Sequence, residues 1–187
     1  ILHAAALVKS WVRDRSEFDR VNVAAWDELL AVASRVGVQK VLHTSSFISL
    51  GPSADGTPLR ESDRAERTGF RTDYERTKYL ADQVTDRWIA RGTPVVTLYP
   101  GVIFGPGART DGNLVGKLIW MVARGRFPGL IGSGDRIWNL AYLPDVVAGH
   151  CRALERALPG RSYILGGENV PLRTLLEDVH RLLGRPM

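Results

Sequence analysis

The sequence holds a single cysteine, Cys151, so no internal disulfide can form. With four histidines and no Cys/His cluster, it also lacks a metal-ligand pattern such as zinc requires. A reducing, cytoplasmic setting is the expectation. No apolar run approaches the ~20 residues needed to cross a bilayer. The opening "ILHAAALVKSW" does not read as a secretory signal, being short and without a charged leader. Lysine is scarce too: four of the 25 basic residues are lysines. The net charge is +5 and the pI about 9.7, yet the charges are scattered. The densest basic stretch, "RAERTGFR", carries acids as well. There is no basic helix and no aromatic–basic signature, so a nucleic-acid partner is not expected.

What remains is ordinary for a globular protein: 44% hydrophobic and 24% charged residues in a chain of 187. "ILHAAA" reads as a short buried strand. Apolar residues at helical spacing from Val21 to Val36 predict a helix over about Ser16–Val36, stopped by Gly37. "KVLHTSS" is a second strand, and residues 50–72 form a long loop rich in Gly, Pro, Ser and charge. A helix follows over Asp73–Ala90, then the strand "PVVTLY" and a loop-like "PGVIFGPG". "NLVGKLIWMVARG" is helical, "IWNLAY" strand-like, and "DVVAGHCRALERAL" a helix with Asp145 as its N-cap. "RSYILGG" and "PLRTLLEDVHRLLG" close the chain as strand and helix. This alternation predicts an α/β fold with a parallel sheet covered by helices. Ligands of such sheets bind beyond the carboxyl ends of the strands, where "HAAA", "TSS" and "YPG" fall.

Within "DYERTKY", Tyr74 and Lys78 lie four apart and share a helix face. A tyrosine is a poor base near neutrality, with a pKa of ~10. A nearby ammonium favours its phenolate, and an alcohol oxygen that loses or gains a proton needs such a group. Ser45 and Ser46 end the preceding strand and could reach the same oxygen. Taken alone, the Tyr/Lys spacing is a weak motif; its place after Ser-Ser and before Pro-Gly strengthens it. His3 and His43 read as structural residues of buried strands, and Cys151 has no setting that would make it reactive.

Taken together, "ILHAAALV", "VNV", "HTSSFISLG", "DYERTKYLAD" and "LYPGVIFGPG" resemble the extended short-chain dehydrogenases/reductases, the NAD-dependent epimerase/dehydratase type. "NLAYLPDVVAGHCRALE" and "SYILGGEN" add to the likeness, which looks strongest for the dihydroflavonol-reductase-like branch and its farnesol-dehydrogenase-type enzymes. The resemblance implies a partial Rossmann-like doubly wound sheet over residues 1–110 and a small α/β substrate-binding region over 111–187, from which one strand and helix return to the sheet. It implies NAD or NADP as cofactor, a small-molecule substrate and, in many relatives, a homodimer.

The roles the resemblance implies fall on particular positions. Tyr74 matches the acid/base, Lys78 the ribose-binding lysine that depresses the tyrosine pKa, and Ser46, second of its pair, the oxygen-binding serine. Asn22 matches an asparagine that orders the site. Ala4, Ala5 and Ala6 match small residues that let the cofactor approach. Pro100, Gly101, Val102 and Ile103 match the loop that fixes the carboxamide. Asn113 matches a substrate contact in some relatives and reads equally well as an N-cap. No glycine-rich phosphate turn follows a strand, so we expect a fragment that begins at the fourth strand of the parent fold, with about 60–80 residues upstream. Nucleotide-sugar enzymes carry an arginine seven residues before the position of Asp145, where this sequence has Trp138. Trp138, with Trp120, Met121 and Phe127, therefore suggests an apolar substrate. The rival readings are a nucleotide-sugar epimerase or dehydratase, and a cofactor-sensing protein without catalysis.

Overall fold

In a computed structural model, residues 1–53, 55–64, 67–107, 112–130 and 132–185 are described. Ala65 and Glu66 of the basic stretch, and Asp111 before Asn113, lie outside them. The chain divides into two units: Ile1–Pro100 with Ala148–Ile164, and Gly101–Val147 with Leu165–Met187.

The first unit is built on a four-stranded sheet, ordered β1 (Leu2–His3), β2 (Val41–Thr44), β3 (Val95–Pro100) and β6 (Ser162–Leu165). β1 and β3 both run parallel to β2. All six residues of β3 are buried, as a strand covered on both faces must be. β1 departs from the expected buried strand: it is two residues long, sits at the end of the sheet and leaves Leu2 exposed. An end strand has a neighbour on one side only, so its outer side chains keep their water.

The helix predicted from Ser16 is continuous but not uniform. It runs as α1 (Ser16–Asp19), a π-helical segment (Arg20–Ala24) and α2 (Ala25–Arg35). A π-segment shifts the register of the faces it joins, and such insertions gather at functional sites. Trp26, Leu30 and Ala33 of α2 pack with Val41, Val95, Ala81 and Val84. Helix α3 (Asp73–Ala90) begins where the Thr72 hydroxyl accepts the Glu75 N–H at 3.1 Å. It ends where Gly92 takes a positive φ of 89°, so that Gly92 and Thr93 donate back to Ile89 and Trp88.

The second unit holds β4 (Val102–Phe104), parallel to β5 (Ile137–Tyr142), which pairs antiparallel with β7 (Glu168–Pro171). Its helices are α4 (Leu114–Ala123) and α6 (Leu172–Leu182), whose Val122, Leu176 and Val179 form its core. Helix α5 (Leu143–Arg156) follows β5 directly. "GVIFGPG" is thus not all loop: Val102–Phe104 is a strand, because β5 offers it a ladder. Asp145 is not an N-cap either; α5 opens at Leu143, and Asp145 lies in its first turn. There its charge meets the positive end of the helix dipole.

Candidate active site

Tyr74, Lys78, Ser46 and Asn22 all lie in the first unit, brought together around the start of α3. Ser46 directly follows Ser45, the residue after β2's end. Its backbone is extended, and its Oγ caps a short 3₁₀ turn, Phe47–Ser49, by accepting the Ile48 N–H at 3.4 Å. The Ser46 hydroxyl also lies near enough to the Tyr74 phenol to lower its pKa. Ser45 is occupied elsewhere: its Oγ donates to Asp82 at 2.7 Å. The two neighbouring serines thus face different partners.

Lys78 is buried, and its Nζ donates to the Thr44 carbonyl at 3.1 Å while lying 5.9 Å from the centre of the Tyr74 ring. Burial pushes its pKa down to about 8. Burial raises the pKa of Tyr74, opposed by the nearby Ser46 hydroxyl. This differs from the expected depression by Lys78. The ammonium is itself desolvated and aimed at a carbonyl, so loss of water is the stronger influence on the phenol. Below Lys78, His43 stacks on Trp26 at 4.2 Å, and Trp26 on His3 at 4.5 Å. Burial, Lys78 and His3 together hold the His43 pKa far down, so this ring is neutral.

Asn22 sits in the π-segment and pins the chain after β1. Its Oδ1 accepts the Leu7 N–H at 2.7 Å, and its Nδ2 donates to the Leu7 carbonyl and, at 3.0 Å, to Thr77 Oγ1 on α3. One side chain therefore ties the "HAAAL" stretch to the tyrosine helix. Ala4 and Ala5 are exposed and present small side chains and backbone to solvent. Pro100 ends β3 in the first unit, whereas Gly101, Val102 and Ile103 belong to the second. At Gly101 no other residue fits, since a Cβ would come within 2.3 Å of Asn139 Oδ1. Asn113 caps α4, its Oδ1 accepting the Gly116 N–H at 2.9 Å. Trp138 is half-buried on β5, opposite Val170.

Four residues escaped the sequence reading. Asp82 is buried and holds both Ser45 and, at 2.6 Å, Ser49. Glu75 is buried and bound by the Arg67 guanidinium and the Arg71 N–H. Arg67 also donates to the Ile48 carbonyl at 3.2 Å, joining the serine turn to α3. Thr44 supplies the carbonyl for Lys78, and its Oγ1 lies 2.9 Å from His150 Nε2. Asp82 was within reach of sequence reasoning, lying four residues after Lys78 on one helix face. Arg67, inside a long loop, carried no periodic signal.

Residues 1–166 match the NAD dependent epimerase/dehydratase family, and the chain belongs to it. Its fold is the Rossmann-like fold of that family. A Synechocystis protein named after dihydroflavonol 4-reductase is 30% identical over all of this chain and 54% of its own length. The 4-hydroxy-2-methyl-3-oxo-4-farnesyl-3,4-dihydroquinoline-1-oxide ketoreductase of Stigmatella aurantiaca is 31% identical over 94% of this chain and 51% of its own. The crystal structure of UDP-glucuronic acid 4-epimerase from Bacillus cereus with NAD superposes with a TM-score of 0.85, at 20% identity, over 99% of this chain and 60% of that one. The chain spans about half the length of the curated relatives it matches. No helix among the described residues is long and apolar enough to cross a membrane, and no group of His, Cys, Asp and Glu among them could hold a metal.

Proposed function

We propose that the protein containing this chain is an NAD(P)-dependent oxidoreductase that interconverts an alcohol and a ketone or aldehyde on a moderately apolar small molecule. The observation that carries this reading is the convergence of Ser46, Tyr74 and Lys78: the Ser46 hydroxyl lies beside the buried Tyr74 phenol, and the Lys78 Nζ lies 5.9 Å from the centre of the phenol ring. The residues suit the cofactor. Lys78 has three N–H donors and uses one on Thr44, leaving two to meet ribose hydroxyls. Ala4, Ala5 and Ala6 offer accessible backbone with small side chains, and Pro100, Gly101, Val102 and Ile103 would hold the carboxamide. When bound, the nicotinamide supplies or takes up a hydride.

The protein's own groups handle the proton. Ser46 holds the substrate oxygen. Tyr74 gives that oxygen its proton in carbonyl reduction and recovers it in alcohol oxidation. Because burial keeps the phenol protonated, the resting site is set for the reducing direction. Lys78 grips the ribose and supports the phenolate left after transfer. An apolar substrate is supported by Trp138, which stands where nucleotide-sugar enzymes place an arginine, and by the similarity to a ketoreductase named for a farnesyl-bearing compound.

The family's own name supports a second reading, a nucleotide-sugar epimerase or dehydratase that uses the same three residues. Cofactor absorbance distinguishes them. The full-length protein is expected to oxidise or reduce NAD(P) with members of an alcohol and ketone panel. Turnover of UDP- or dTDP-sugars without net cofactor reduction overturns the dehydrogenase reading.

A further inference from the structure

We propose that Asp82 carries a proton, and that this neutral carboxylic acid positions the turn that presents Ser46. Ser49 Oγ lies 2.6 Å from Asp82 Oδ2 and 2.8 Å from the Ser46 carbonyl oxygen. A hydroxyl has one proton to give. If Asp82 were ionised, both neighbours would be pure acceptors, and one of these two short contacts would hold no hydrogen at all. In a buried site that contact is repulsive and leaves an oxygen unsatisfied. One proton on Asp82 Oδ2 removes the conflict. Asp82 then donates to Ser49, Ser49 donates to the Ser46 carbonyl, and Ser45 donates to Asp82 Oδ1 at 2.7 Å. Every short contact has its hydrogen.

The surroundings agree. On α3, Lys78 lies one turn before Asp82 but aims its ammonium at Thr44, and Asp86 lies one turn after. From β2, Nε2 of the neutral His43 ring lies 3.9 Å from Asp82 Oδ1. From the loop, Arg64 approaches to 3.9 Å but donates to Asp86 at 2.9 Å. From β3, Tyr99 is a buried phenol. Burial raises the Asp82 pKa, opposed in turn by Ser49, Ser45, Arg64 and Lys78. An acid four residues from a lysine would ordinarily read as its counter-ion. Here it gives Lys78 no full charge and instead clamps the residues one before and three after Ser46. Asp82 is thus a positioning residue acting through Ser45 and Ser49.

The protonation does not depend on the proposed activity; the positioning role rests on it. Infrared difference spectra of the full-length protein near pH 7, unsubstituted against Asp82→Asn, are expected to show a carboxylic-acid C=O band that the substitution removes. Loss of an ionised carboxylate band instead overturns the proposal. Should Asp82→Asn fold poorly, ¹³C-carboxyl NMR of the unsubstituted protein gives the same answer: one buried aspartate signal at the protonated position near neutrality, or none. For the role, Asp82→Ala is expected to lower kcat about 10²-fold with KM little changed. Asp82→Asn, which keeps one donor and one acceptor in place, should recover most of that loss. Equal losses in both variants overturn the positioning role. Since the spectra need no turnover, they separate failure of this inference from failure of the oxidoreductase reading.

Discussion

Helix α3 carries ionisable groups on two sides. On the outer side, Arg76 reaches Asp19 with two hydrogen bonds of 2.7 and 2.8 Å, and Arg15 reaches Asp73 at 2.7 Å. On the inner side, Glu75, Lys78 and Asp82 are all about 5% exposed or less. Both sides carry acids and bases. The outer pairs keep much of their water and gain little. The inner groups have lost theirs, a cost that hydrogen bonds only partly offset. Three buried ionisable groups within eight residues are poorly explained by stability alone. Such a cluster marks the places where proton affinity is being adjusted for a task.

The largest effect is expected from Tyr74→Phe. It removes one hydroxyl at the inner face and leaves the helix and its packing intact. Turnover by the full-length protein is expected to fall about 10³-fold, within the usual range for losing a general acid, with cofactor affinity nearly unchanged by fluorescence titration. A loss of a few-fold would mean that the inner face is not catalytic.

Arg67→Ala tests whether buried charge is costly once unpaired. It strips Glu75 of its guanidinium and the Ile48 carbonyl of a donor. About 3 kcal/mol should be lost in urea unfolding, and Glu75→Gln in the same background should recover part of it. The pair is also pH-dependent. Burial pushes the Glu75 carboxyl up, but Arg67 and the Arg71 N–H outweigh it, so its folded pKa lies below the ordinary value of 4.5. Its stabilisation is present above that value and disappears as pH falls through the folded pKa. Arg67→Ala should flatten the acid limb of the stability curve.

Lys78→Met moves stability the other way. The folded pKa near 8 lies below the ordinary 10.5, so the unfolded chain binds the extra proton between them. The burial cost is therefore fully present below pH 8, and stability rises as pH climbs from about 8 to 10.5. Methionine fills similar space without charge. Allowing for the lost bond to Thr44, the variant should be about 2 kcal/mol more stable at neutrality and inactive. Its stability should no longer rise through that alkaline window. A destabilised Lys78→Met would mean that the inner face is held for stability after all.

The sequence made the outline of α3 legible because apolar residues recur at helical spacing and Gly92 stops them. The Tyr74/Lys78 pair and the serine turn were legible for a chemical reason: few residues can move a proton on an alcohol. Strand β4 was not, since "PGVIFGPG" is crowded with turn residues and its strand character comes from β5. β7, with its polar "ENVP", owes its conformation to the same partner. The π-segment that aims Asn22 leaves no periodic trace over five residues. Arg67 reaches Glu75 from a loop, and nothing local to a loop says where its side chains land. Pattern thus reports contacts made within an element, while contacts between elements needed the structure.

The smallest expected effect completes the contrast. Arg76→Ala removes three hydrogen bonds, two to Asp19 and one of 3.5 Å to Asp73, more than Arg67→Ala does. Counted by bonds, it should be the worse substitution. Counted by water, it should not: Arg76 and Asp19 are 31% and 46% exposed, so the freed Asp19 is rehydrated at once, and Asp73 keeps Arg15. The expected loss is about 0.5 kcal/mol in urea unfolding. It should shrink as salt is raised towards 1 M, where the screening length falls to ~3 Å. The Arg67→Ala loss, in a site salt does not enter, should stay constant over the same range. If the two substitutions cost the same, or if both fade with salt, then burial is not what separates the two sides of α3.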